Sequence, residues 1–600
     1  MAIPITIGKE YFVGKRIVVI LAMFLLAATI ACGSAAPAAP KVVEKEVIKE
    51  VIKEIPVEVT KEIVIEKLVV ATPTPMPPPG TVTGASGSVI SATSDMAEMG
   101  FDPALDNTSN VKPFYDEMHL YPILQAPDGQ LAGGAASKWG VSSDGLSWVF
   151  TVREGVKFHN GETMTPEDFS WSWNRSVMSD EAETGASLTY SPRIEYIRAE
   201  GDTVVVKTKG PEALMPLWWP SYSGTQAGAV LSKVEFDKTG VEGIRNQPVG
   251  AGSFKFVERS RGEFIKLEAF EDHYCCVPGF KDLTVLEVPE ISTRMALLKT
   301  GGTDLIEAVP AVKRDLAEAG FRIFSGAGAT SAVMWFAHQN VEGGPFYDKR
   351  VREAFNIAID RATIVDRLYA GEGGPTTSFK AGPGSFGYNN DLPGYPYDPA
   401  RAKQLMQEAG YGDGFKVRLV TYKYDADFPD MPILAQAVGG YLEDGLGVDF
   451  EVQVMEWTAV KGEMENMLQA VCGEGIVWCH GEEANPELAT QAPYTLVLVG
   501  NDTRFHALRS NTNYMTPDGS RPFVQLPWVA EGMVQIATEF DLEKQRTMFE
   551  ELNREMYEEY VQGLLLYSNS LFAVSDKVGD WQPITGRTYP NNHWTLKPAN

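Results

Sequence analysis

The sequence predicts an α/β protein with two lobes, and three observations predict it. From Gly87 onward, short β-branched runs alternate with stretches of helical period. The segment "DLTVLEVPEISTRMALLKTGGTDLIEAV" reads strand, helix, strand, with Gly301 and Gly302 stopping the helix. The 600-residue chain is 44% apolar and 10% aromatic, enough to fill more than one core.

The chain opens on segments of another kind. Lys9, Lys15 and Arg16 precede an apolar run from Ile17 to Ile30, the pattern of an export signal over residues 1–32. The run is shorter than the roughly 20 residues of a bilayer span. "TIAC", followed by Gly33 and Ser34, resembles a bacterial lipobox, in which Cys32 is lipidated and becomes the new N-terminus. Thr29 stands where that pattern prefers Leu, and the alternative is an uncleaved anchor. Both place the protein outside the cytoplasm and tied to a membrane. Residues 33–84 read as a low-complexity tether: a small-residue start, a Val/Ile–Lys/Glu run and the Pro-rich spacer "TPTPMPPPGT". The four-residue beat of that run also suits a self-associating helix.

The remaining elements follow in order. "GLSWVFTVREGVKF" is strand, turn, strand, with Leu146, Trp148, Phe150 and Val152 on one face. "TPEDFSWSWNRSV" opens a helix with Thr165 as N-cap, Pro166 at the first helical position and Asp168 at N3. "YDKRVREAFNIAIDRATIVDRLYAG" reads as a helix with Val351, Phe355, Ala358, Ala362 and Val365 on one face, ended by Gly371. "YDPARAKQLMQEAGY" is a capped helix stopped by Gly410, and "DLEKQRTMFEELNREMYEEYV" is a late amphipathic one before the apolar "GLLLYS".

Charge and cysteines bound the function. A formal net charge of -27 disfavours nucleic acid and mildly favours an amine-bearing partner, although solubility alone accounts for it. Cys32 aside, Cys275, Cys276, Cys472 and Cys479 allow three disulfide connectivities, and an oxidising compartment permits any of them. None has zinc-finger spacing. No G-x-S-x-G, P-loop or H-E-x-x-H occurs, so neither an enzyme nor a cofactor is expected.

Taken in order, these blocks resemble the family 5 extracellular solute-binding proteins, the peptide, oligopeptide and nickel receptors of ABC importers. "GLSWVFTVREGVKFHNGETMTPEDFSWSW" is similar to the family's signature, and "PVGAGSFKFVE" to its Pro-Val-Gly-Thr-Gly-Pro-Tyr block, with Ala251 and Ser253 as departures. The resemblance implies a type II periplasmic-binding-protein fold that closes on a ligand about crossing strands. Lobe one would take residues 85–330 and 568–600, with an extra subdomain near 125–245, and lobe two residues 331–567. The crossings would fall near "SAVMWFAH" and "LLLYSNS". The resemblance further implies a binding receptor with monomeric lobes that hands its solute to an ABC permease. Peptide is the first ligand class and oligosaccharide the second; a tethered scaffold is the rival from another class.

The resemblance also nominates site residues. In peptide-binding members a Trp-containing loop of lobe two leads to an acidic, Pro-terminated turn that pairs with the ligand amine. "VWCHGEEANPE" is assigned that place. Counting back four from Pro486 selects Glu482, whereas counting three forward from Trp478 selects Gly481, so the loop carries one extra residue and Glu replaces Asp. Trp478, Glu482, Glu483 and Asn485 are therefore the lobe-two candidates. Thr108, Ser109 and Asn110, after "FDPALDN", are the lobe-one candidates. A metal cluster of Cys479, His480, Glu482 and Glu483 matches no ligand spacing, so no metal is expected. His159 reads as a structural hydrogen bonder, Trp218 and Trp219 as subdomain packing, and Trp335, Phe336 and Trp457 as core.

Overall fold

The computed structural model describes residues 69–71, 84–97, 99–105, 109–126, 131–182, 184–218, 226–422, 428, 430–473, 478–479, 483–502, 507–517, 519, 522–590 and 592–599. Cys32, the export signal and most of the tether lie outside them. Val69–Ala71 does not: it pairs antiparallel with Trp139–Val141 as an edge strand. The tether expected over 33–84 therefore includes a short strand, made of residues with high β-propensity beside an open sheet edge.

Two sheets carry the fold. The smaller has five strands and includes the hairpin Ala136–Val141 and Ser147–Val152. Trp148, Phe150 and Val152 are buried, as their period-two spacing predicts. The larger sheet has eleven strands and is mixed. At its centre two long strands, Arg322–Phe336 and Gly563–Val574, run antiparallel along each other, and their register shifts between Gly326 and Thr330. On one side of that shift they join the parallel strands Ser88–Thr93, Asp282–Glu287 and Leu305–Ala308. On the other side they join the parallel strands Lys416–Tyr422, Asp449–Met455 and Tyr494–Asp502. Separate cores form in each part: one mainly of residues 332–566, one of residues 120–251, and one that gathers Val89, Phe114, Leu283, Phe572 and Leu596.

Local chemistry explains the elements. Thr165 is the expected N-cap, and with Asp168 at N3 it forms a capping box, with Pro166 opening the helix Pro166–Trp173. Asp398 caps Pro399–Glu408 and Asp541 caps Leu542–Glu558. One expected helix is two. Lys349–Ile357 ends, Asp360 caps a new helix with its carboxylate on Thr363 N–H at 3.0 Å, and Arg361–Tyr369 follows. The break changes the phase, so Ala362 faces solvent instead of the core. Both disulfides join near neighbours in sequence, Cys275 with Cys276 and Cys472 with Cys479. Trp218 stacks on Tyr190 at 4.4 Å, Trp335 and Phe336 are fully buried, and Trp457 packs partly buried against the large core; Trp219 lies outside the described residues.

Candidate functional site

Strand direction locates the site. Thr93 and Ala308 end parallel strands in one half of the large sheet, and both ends point toward the register shift of the central strands. In the other half Tyr494–Asp502 ends with Asp502 beside Thr330, which itself pairs with Ser568. Tyr422 ends a strand parallel to it. The carboxyl ends of both parallel sets therefore converge on one crossing, where open α/β sheets bind ligands.

Polar side chains from distant segments meet there. Glu372 accepts from Lys313 Nζ at 2.5 Å, Asn569 Nδ2 at 2.9 Å and Ser325 Oγ at 3.1 Å. Burial alone would raise its carboxyl, but Lys313 and Asn569 outweigh it and hold Glu372 below the usual carboxylate range. Asn569 Oδ1 accepts from Gly328 N–H at 3.0 Å. Lys380 has φ +53° and donates its backbone N–H to Ser331 Oγ. Its Nζ stands 5.8 Å from the ring centroids of both Phe379 and Tyr514, and no carboxylate pairs with it among the described residues. Thr330 is buried and its Oγ1 has no hydrogen-bond partner among the described residues.

The opposite wall is equally ordered. Glu307 accepts from Thr93 Oγ1 at 2.7 Å and from Ser94 N–H at 3.1 Å. Asp102 and Arg175, both buried, form a two-pronged pair at 2.6 and 2.7 Å. That pair ties "FDPALDN" to the signature helix region. His159 Nδ1 accepts from Gly250 N–H and its Nε2 donates to Gly252 O, which makes it the structural hydrogen bonder expected. Burial lowers its pKa to about 4, so it stays neutral. A Cβ on Gly250 would meet Met118 O at 2.0 Å, so only glycine admits this approach.

Farther out, the two halves touch again. Ala213 N–H donates to Ala537 O at 3.2 Å, and Leu214 and Leu217 enter the core of residues 332–566. Phe540 packs at 6.1 Å from Trp148 and against the space above Gly145. A crevice of about 740 Å³ runs beside this contact, lined by Arg193, Lys209, Glu212, Thr512 and Thr538 among others.

The structure separates the sequence-derived candidates. Asn110 is buried, with Nδ2 2.5 Å from an oxygen of Asp95, two residues beyond the carboxyl end of Ser88–Thr93. Ser109 begins the short turn Ser109–Val111; Thr108 lies outside the described residues. The lobe-two candidates stand elsewhere. Helix Trp457–Cys472 returns from the carboxyl end of Asp449–Met455, so the loop after it lies at the amino ends of the strands. Cys479 O accepts from Asn340, beyond Phe336, which is about 20 Å along the strand from Thr330. Trp478 is half-buried and Glu483 exposed there; Asn485 caps the turn Pro486–Thr490 through Glu487 N–H at 3.0 Å. Glu482 and His480 lie outside the described residues. For Trp478, Glu483 and Asn485 the expected place at the crossing is thus corrected by strand direction, which motif counting does not register. Glu372, Lys380, Thr330 and Asn569 were missed; the signal available was the strand "YTLVLVGND", whose far end has to face the crossing.

Comparison with known proteins follows the same lines. The family model for bacterial extracellular solute-binding proteins, family 5 middle, matches residues 130–478. Heme-binding protein A of Haemophilus influenzae is 28% identical over 344 residues, 53% of this chain and 61% of that protein. The oligopeptide-binding protein AppA of Bacillus subtilis is 27% identical over 347 residues, 53% of this chain and 60% of that one. The chain thus spans about three-fifths of the length of these curated relatives. Among solved structures, HbpA2 from Haemophilus parasuis superposes with a TM-score of 0.70 at 17% identity, covering 86% of this chain and all of that one. The Helicobacter pylori periplasmic binding protein DppA, in complex with the peptide STSA, gives 0.64 at 21% identity, covering 86% and 99%.

Proposed function

The chain belongs to the bacterial extracellular solute-binding proteins of family 5, and on that premise we propose that it is the receptor of an ABC importer, capturing a peptide between two lobes and delivering it to a membrane permease. One observation carries the reading: the carboxyl ends of two separate parallel sets converge on a crossing made by two long strands. Such a crossing lets the halves pivot while each keeps its own core. Lobe one takes residues 85–330 and 568–600 and lobe two residues 331–567. Binding favours the closed form through contacts made by both lobes at once. The work is binding, without bond cleavage, and Cys32 provides the lipid anchor.

Lys380 supports the peptide class. Its backbone N–H is bonded to Ser331 beside the crossing, and its ammonium, near the rings of Phe379 and Tyr514 and with no carboxylate partner among the described residues, suits a ligand carboxylate. The relatives' printed names, oligopeptide and glutathione among them, point the same way. Mass spectrometry of small molecules released from the purified chain tests this: a peptide is expected, and an oligosaccharide or no ligand would overturn it. Calorimetry with that peptide should show Lys380→Met weakening affinity about tenfold, a loss of about 1.4 kcal/mol.

A further inference from the structure

The adjacent cysteines of lobe one are left unused by this function. Cys275 is exposed and Cys276 is 1% exposed, and a disulfide joins them. His273 shares their turn. Its Nδ1 accepts the N–H of Cys276 at 3.2 Å and lies 3.7 Å from the sulfur of Cys275. The two sulfurs and a ring nitrogen of His273 all fall within 4.8 Å of one another. Three donors around an ion with bonds near 2.3 Å sit roughly 3.8 Å apart, so the two sulfurs, bonded to each other in the disulfide, have to part before they can bind one.

The surroundings favour a site over an accident of sequence. His273 and Cys276 line a cavity of about 50 Å³ together with His119 and Asp116. His119 Nε2 and Asp116 Oδ2 are buried there without a hydrogen-bond partner among the described residues. The turn is held at both ends: Phe270 N–H donates to Ser253 O at 2.8 Å and Ala269 N–H to Lys281 O at 2.7 Å. Opening the disulfide therefore leaves the donors near one another.

We propose that Cys275, Cys276 and His273 form a redox-gated site for a thiophilic divalent metal ion. A dithiol reductant supplies the two electrons. Its thiolate attacks the exposed sulfur of Cys275, and the bond breaks with its electron pair on Cys276. The reductant's second thiol then displaces Cys275, so the reductant leaves as a disulfide and the chain holds two thiols. A soft ion takes both as thiolates, releasing two protons, and His273 adds nitrogen. The oxidised pair, its sulfurs bonded to each other, keeps the site shut.

Cadmium titration of the intact chain, with and without reduction by a water-soluble phosphine, tests this through cadmium–thiolate absorption. The reduced chain should take up one equivalent and the oxidised chain none. Cys275→Ser should weaken uptake at least a hundredfold and His273→Ala about tenfold, whereas Cys472→Ser/Cys479→Ser should leave it unchanged. Because Cys275 is exposed, its variant keeps the test independent of core packing, and circular dichroism verifies its fold. No uptake by the reduced chain, full uptake by Cys275→Ser, or loss of uptake in the Cys472/Cys479 variant would each overturn the proposal.

Discussion

Lys313 and Glu372 meet at 2.5 Å across the crossing, one from the helix Lys313–Glu318 and the other from the turn after Arg361–Tyr369. Asn569 of the second long strand and Ser325 of the first complete the shell of Glu372. Four segments thus hold one carboxylate at the point about which the halves are proposed to pivot.

Glu372→Gln should destabilise the protein by about 1–2 kcal/mol, since it removes charge-assisted bonds that include one to the partly exposed and screened Lys313. The sign with pH follows from the lowered carboxyl. Its contribution is complete above the unfolded value of about 4.5 and is lost as pH falls through the lower folded value. Urea unfolding of both proteins should show a stability gap that is constant near neutrality and closes only on acidification below that range. A gap that persists at low pH would contradict the assignment.

Arg175→Met should cost more, about 3–5 kcal/mol, because it takes the two-pronged cationic partner from the buried carboxylate of Asp102. The double variant Asp102→Leu/Arg175→Met should be less destabilised than this single one, since no charge remains uncompensated. Denaturant midpoints of the three chains measure the order.

The loop around Trp478 separates what the fold needs from what the ligand needs. Trp478→Ala and Glu483→Gln should leave ligand affinity within about twofold, since both stand at the amino ends of the strands. Replacing Cys472 and Cys479 by serine should nevertheless lower stability by about 2.5 kcal/mol, from the loop closure lost over a separation of seven residues. Calorimetry and melting on the same variants distinguish the two effects.

How far these features could be read in advance depended on their range. The cap from Thr165 to Asp168 spans four residues and was legible, as were the hairpin and the ordered family blocks. The break at Asp360 was hidden because Ala-Ile-Asp-Arg continues an apolar period while the cap interrupts it. Glu372 sits in a stretch that reads only as a helix stop, and its partners lie 47, 59 and 197 residues away. The end of the sheet at which a loop emerges depends on which way the preceding helix runs, so motif spacing placed Trp478 in a cleft that the strand order moves elsewhere.

Phe540 offers the sharpest test of closure. It follows the helix Pro527–Ala537 and packs at 6.1 Å from Trp148, beside the backbone bond from Ala213 to Ala537. If the lobes part, this contact is lost together with the packing of Leu214 and Leu217 on the core of residues 332–566. Phe540→Ala should therefore act on the equilibrium between forms and little on folding. Losing an aromatic contact of about 1–1.5 kcal/mol made only in the closed form should weaken ligand binding about five- to tenfold. Small-angle scattering of the ligand-free variant should show a larger radius of gyration than that of the parent chain. The two radii should become equal when ligand saturates both, because the ligand's own contacts then hold the lobes together. Equal affinities and equal radii throughout would show that this contact plays no part in closure.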